Sequence, residues 1–226
     1  MEYNGITSEA LFLLADNRFR NSRDYYEEHK EEIKEKIIIP LRQLAGIVGE
    51  ELISIDPLMN TIPTKMVSRV RRDTRYTKDK SLYRDNMWIM FMRPKKEWHC
   101  YPCMWFEVTQ HVYTVGVGFF GCDPGLMQTY RKALRERGGE FLKAVSSCLS
   151  ADAVIAGEKY KRMPEGCPDG FEDFYARKDI GFIRASANLD ELSDERIVNV
   201  VRDTVKAYSP MYKFLLGISD EYFEKG

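Results

Sequence analysis

Histidine and cysteine are scarce in this chain, with three and five among 226 residues. The cysteines, Cys100, Cys103, Cys122, Cys148 and Cys167, are odd in number and scattered. That argues against a disulfide framework and for a reducing compartment. No Ser/His/Asp arrangement, H-E-x-x-H, P-loop or EF-hand spacing is present, so the commonest motif-borne chemistries have no residues to carry them. No apolar run approaches the ~20 residues that a membrane span needs. Met1 to Gly5 has neither a basic start nor an apolar core, so no signal peptide is expected. Excess charge of one sign is lacking too: 34 basic against 35 acidic side chains leave a net −1. Such a chain has no overall field to hold it on nucleic acid or membrane, and any such binding must come from a local patch. A cytoplasmic protein with no membrane partner is the expectation.

What is present is a globular balance, 44% hydrophobic and 31% charged, long enough for one domain that buries a large core. Residues 1–60 read as helical. Ala10, Leu11, Leu13, Leu14 and Ala15 form a compact apolar run, and Ser22 is placed to cap a second helix that Pro40 must end or kink. Leu41, Leu44, Ile47, Val48 and Leu52 follow at helical spacing. Residues 64–122 carry the main strands: 66–75 with alternating residue types, then 87–92, 101–109 and 111–119, joined by connections short enough for hairpins. Residues 123–226 mix both. Asp123-Pro124 opens a helix that Gly138-Gly139 breaks, strands are expected at 154–160 and 180–185, and Ser193 and Ser209-Pro210 start the last helices.

One segment departs from the chain's neutrality. Arg69, Arg71, Arg72, Asp73, Arg75, Lys78, Asp79 and Lys80 place six cations and two carboxylates within twelve residues. Local cationic density needs an anionic partner, external or internal. On a strand over 66–75, Arg69, Arg71, Asp73 and Arg75 share one face, while Arg72 falls on the other and joins only where the strand ends or twists. Asp73 would then hold Arg71 and Arg75. Guanidinium groups suit bidentate recognition of phosphate or carboxylate. Lys78, Asp79 and Lys80 lie on the loop that follows, with Tyr83 and Arg84 behind it.

The stretch R-V-R-R-D-T-R-Y-T-K-D-K-S-L-Y-R resembles the hallmark of domain-of-unknown-function family 2461, roughly Arg-x-x-Arg-Asp-x-Arg-Phe-x-x-Asp-Lys-x-Pro-Tyr-Lys. The matching positions are Arg69, Arg72, Asp73, Arg75, Tyr76, Asp79, Lys80, Tyr83 and Arg84. The resemblance extends over most of the chain, through Asp16-Asn17, Tyr25-Tyr26, Pro40, the Gly116 to Gly125 turn and Met163 to Gly166. Leu82 stands where the family pattern has proline, which would loosen the loop holding Lys80, and Arg84 stands in place of a lysine. The resemblance implies a location for a site and no activity.

Other motifs fail on their surroundings. Gly116 to Gly121 matches G-x-G-x-x-G, but bulky Phe119 and Phe120 fill its variable positions, and Asp123 would sit where a pyrophosphate belongs. A strand in which something approaches the glycines closely is the better account. Cys100 and Cys103 form a lone C-x-x-C at the start of a strand, where no helix dipole favours a thiolate. His99 and His111 would complete four zinc ligands, yet a second cysteine pair is missing. Two partly buried thiols are expected there, with no metal and no cofactor. Glu107 is the one acid on an otherwise apolar strand, either a solvated edge residue or a base facing the arginines, with His111 across the hairpin.

The expected fold is a single α+β domain over residues 1–226, an antiparallel sheet of about five or six strands packed against N- and C-terminal helices. The leading functional reading is a pocket for a small phosphate- or carboxylate-bearing ligand, with Arg69, Arg72, Arg75 and Lys80 as contacts. Asp73 and Asp79 would orient them, and Tyr83 and Glu107 would wall the pocket. The alternatives are a nucleic-acid or protein interaction module without catalysis, and a purely structural salt-bridge network. Nothing in the sequence names a catalytic residue.

Overall fold

Helix punctuation lies close to where the sequence puts it. The computed structural model describes residues 2–94 and 100–224. Helix α1 (Ser8–Arg20) begins where the Thr7 side chain accepts the Ala10 N–H at 3.2 Å. It ends at Asn21, left-handed at φ 49°, whose N–H returns to the Asn17 carbonyl. Ser22 caps α2 (Arg23–Ile33) as expected. At Pro40, where an end or a kink is expected, the chain stays helical. The helix widens into a π-turn over Lys34–Ile38, where Ile39 N–H reaches Lys34 O, and continues as α3 (Ile39–Ile55). A proline lacks one N–H and its ring crowds the carbonyl four residues back; a widened turn just before it absorbs both defects.

The sheet has five strands in the order β1-β2-β3-β5-β4, antiparallel and open, with helices at both chain ends, as the α+β reading requires. The strands are β1 (Asn86–Phe91), β2 (Cys103–Thr109), β3 (Tyr113–Gly118), β4 (Val154–Ala156) and β5 (Gly181–Ser186). The strand expected over 66–75 is absent. A short helix α4 (Pro63–Met66) comes first, and pairing is then limited to isolated bridges, Val67 with Ile89 and Arg71 with Tyr83. Beyond Arg72 the charged segment leaves the sheet as a loop. Five charges in the seven residues 69–75 cost too much to desolvate along a ladder, so packing overrode the local alternation.

Contacts gather the chain into two units. The first comprises residues 1–91, 105–114 and 185–203. Its core joins Leu11, Leu14, Ile33, Ile37, Leu41, Leu44 and Val48 with Ile89, Phe91, Phe106 and Ile197, all essentially inaccessible. Along β1, Met87, Ile89 and Phe91 are buried and Asn86, Trp88 and Met90 only partly so, the alternation of a strand with one face in the core.

The second unit comprises residues 92–104, 115–184 and 204–226. Helix α5 (Pro124–Leu149) starts under the Asp123 cap, whose carboxylate accepts Gly125 N–H at 2.7 Å, and kinks at Arg137 beside the glycine pair. Phe141 sits among the rings of Tyr130, Phe171, Phe174 and Phe214. Phe174 belongs to the short α6 (Glu172–Tyr175). No new helix starts at Ser209-Pro210: α7 (Arg196–Phe223) runs straight through it. The Ser209 hydroxyl donates to Lys206 O at 2.9 Å, the carbonyl that Pro210 has no N–H to serve. Gly118, in the glycine-bearing strand, has Ile180 O only 2.2 Å from where a Cβ would stand, so the close approach expected there is another strand's backbone.

Candidate functional site

The charged loop belongs to the first unit, and backbone bonds hold both of its feet. Arg72 N–H donates to Leu82 O at 2.8 Å, and Arg84 N–H to Val70 O at 2.9 Å. Leu82 N–H donates to the Asn21 side chain at 2.6 Å. A proline here would have no N–H to give, so Leu82 supplies a bond at the foot of the loop. Tyr83 is buried, its ring stacked on Tyr26 at 4.8 Å, which makes it an anchor in the packing. Its carbonyl accepts from Arg18 Nη1 at 3.1 Å.

Asp79 is the hub of the cluster. Its Oδ2 accepts from Arg18 Nη2 at 2.7 Å and also from Arg72 Nη1. Its Oδ1 accepts from the Ser81 N–H at 2.9 Å and from the Ser81 hydroxyl. These bonds, led by those from Ser81 and followed by the two guanidinium groups, hold the carboxyl far below the ordinary carboxylate range. Arg72 is well covered, its side chain 17% exposed, while Asp79 remains 47% exposed. Asp73 pairs with Arg75 in the open, not with Arg71 and Arg75 together. Hydrogen bonds from the Arg75 side chain and backbone bring its pKa down to about 2. Lys80 reaches back across the loop to Thr74 O at 2.8 Å. Arg69 is exposed, with no bonded partner among the described residues.

A second group stands on the face of β1 turned from the core. Arg84 lies over the Trp88 ring, 4.3 Å from its centroid. The Arg84 Nε is buried, and among the described residues no group accepts from it. Burial, and then the positive charge of Arg72, lower the Arg84 pKa; Glu107 pulls the other way. Glu107, on β2, accepts from Asn86 Nδ2 at 2.5 Å. Its charge acts on Arg84. His111 does not join it: the ring lies in the exposed β2–β3 turn, 3.0 Å from Gln110 Nε2.

The charged sequence thus divides. Arg72, Asp79, Arg84 and Glu107 come together, whereas Arg69, Asp73 and Arg75 stay on the exposed loop. Arg18, Asn21, Ser81 and Asn86 stand around them without having been singled out. Only Asn21 carried a local signal, an asparagine at a helix end where the left-handed conformation is favoured.

Burial pushes the Cys103 thiol up to about 12 and raises Cys122 further. Among the described residues no group of histidine, cysteine and acidic side chains is arranged to hold a metal, and His99 lies outside those residues. No described helix is long and apolar enough to cross a membrane.

A family model described as "Conserved hypothetical protein (DUF2461)" matches residues 9–214. The chain belongs to this family. The match takes in α1, the charged loop, the whole sheet and most of α7. The description assigns no activity, and the function is uncharacterised. No curated protein matches the chain.

Proposed function

We propose that this member of the DUF2461 family binds a small anion bearing a phosphate or carboxylate group between Arg72 and Arg84, above Trp88. The observation that carries the reading is the Arg84 guanidinium. It is partly buried, its Nε finds no acceptor among the described residues, and it lies within the field of a second arginine. A buried unpaired donor costs about 1–3 kcal/mol, an arrangement that a fold assembled for stability alone has reason to avoid. An oxyanion supplies the missing acceptor and screens the repulsion at once, and a guanidinium fork suits it bidentately. Arg18, Arg72 and Arg84 against Asp79 and Glu107 leave one net positive charge, which fits an anionic group on the ligand. The apolar face of Trp88 and the Asn86–Glu107 pair would line the remainder.

The structural salt-bridge reading keeps support from other residues. Asp73 with Arg75, and Asp79 with Arg18 and Arg72, satisfy each other inside the protein. It gives no account of Arg84. The test is a thermal-shift panel of inorganic phosphate, sugar phosphates, nucleotides and dicarboxylates. A ligand at 100 times its dissociation constant adds about 2.7 kcal/mol, which for a chain of this size raises the midpoint by roughly 5–10 °C. The shift is expected to vanish in Arg84→Met and Arg72→Met. A flat panel, or a shift that survives both substitutions, refutes the assignment.

A further inference from the structure

The loop over residues 73–81 is secured unevenly. Its feet are pinned, at Arg72 by Leu82 O and at Leu82 by Asn21. Between them, the bonds of Asp73, Thr77, Lys80 and Ser81 stay within the loop: Asp73 to Arg75, Thr77 to Asp79 O, Lys80 to Thr74 O and Ser81 to Asp79. Among the described residues, Asp79 alone carries a side-chain bond from this loop to the framework, through Arg18 on α1 and Arg72 at the loop's foot. One carboxylate oxygen thus occupies the position where two guanidinium groups from separate segments converge, and an external oxyanion would take that same position.

We infer that Asp79 is a resident, displaceable carboxylate that closes the anion site, and that an incoming phosphate or carboxylate group takes its place on Arg18 and Arg72, with Arg84 as its third contact, while the loop swings outward. This rests on the anion-binding reading above. The geometry favours exchange over addition. Arg72 already commits a guanidinium nitrogen to Asp79, and a second negative group beside that carboxylate would be repelled by it. The Ser81 N–H and hydroxyl travel with Asp79, so the carboxylate keeps local donors after it leaves. The framework has no need to move, since Tyr83 stays stacked under Tyr26 and Arg18 retains the Tyr83 carbonyl.

The sign of one substitution decides the matter. Asp79→Asn removes the competing charge, and calorimetric titration with inorganic phosphate and with succinate should show affinity at least tenfold above wild type. The two probes separate a phosphate site from a carboxylate site. Unchanged or weaker affinity in a folded Asp79→Asn protein would show that Asp79 merely orients Arg72, and would overturn the inference. A second readout keeps the test open if that variant misfolds. In wild type, tryptic cleavage after Lys78 and Lys80 should accelerate at saturating ligand as the loop swings outward, and slowing or no change refutes displacement. If wild type binds neither probe in an Arg84-dependent way, the anion site itself falls. If it binds but neither Asp79 test moves as stated, only the displacement falls.

Discussion

Replacing Arg84 with methionine should make the protein more stable while removing anion binding. The stem of Arg84 packs beside Trp88, and methionine covers similar surface without a charge or an N–H. Removing the unaccepted Nε relieves about 1–3 kcal/mol. The loss of a half-exposed guanidinium–indole contact offsets about 0.5–1 kcal/mol, and a sulfur–ring contact returns about 0.3–1.5 kcal/mol. Attraction to Glu107 is lost, but so is repulsion from Arg72, which outweighs it at Arg84. The net is a gain of about 2 kcal/mol, worth about 4–8 °C in the midpoint for a chain of this length. Urea denaturation followed by circular dichroism provides the number, with an unchanged m-value as the condition for reading it as stability. Arg84→Lys is the control: it keeps the charge, loses the fork, and should gain nothing. A loss exceeding about 1 kcal/mol in Arg84→Met would mean that Arg84 is a structural clamp, and the argument from its unpaired nitrogen would fail.

Two glycines should respond with opposite signs. Gly118→Ala sets a methyl 2.2 Å from Ile180 O and 2.7 Å from Gly181 Cα, both backbone, and should destabilise by at least about 2–3 kcal/mol. Gly139→Ala meets nothing within 4 Å and should stabilise by about 0.5–1 kcal/mol through helix propensity; equal denaturation midpoints for the two variants would contradict both. Acid should act on the charged loop late. Asp73, at about 2, and Asp79, lower still, both lie below their unfolded values. Their contribution is therefore complete above roughly pH 4 and is lost only as pH falls through the folded values. Carboxyl carbon shifts should place the Asp73 midpoint near 2 and show Asp79 still ionised there, and an Asp79 midpoint near 4 would remove its arginine pairing from the account.

Short-range chemistry was legible in the sequence because its causes are short-range. Ser22 and Asp123 cap the helices expected of them. The kink falls at Arg137, beside Gly138-Gly139, and Gly118 lies against another backbone as a glycine in a strand should. The hairpins, the α+β class and the place of the charged cluster follow from composition and alternation. The two prolines misled for an instructive reason. The rule that proline ends a helix assumes that nothing replaces the missing donor, and here a π-turn and the Ser209 hydroxyl do so.

The sequence by itself determined the helix caps, the sheet-forming middle and the segment in which the cations gather. Only the tertiary structure decided which of those cations are spent and which are free. Asp79 is bound by Arg18, 61 residues away, and Glu107 meets Asn86 across 21 residues. Arg84 is left over because no acid among the described residues bonds its Nε. Charge density is a property of a segment and can be counted along a chain. Charge compensation depends on distance in space, and the fold alone sets that distance.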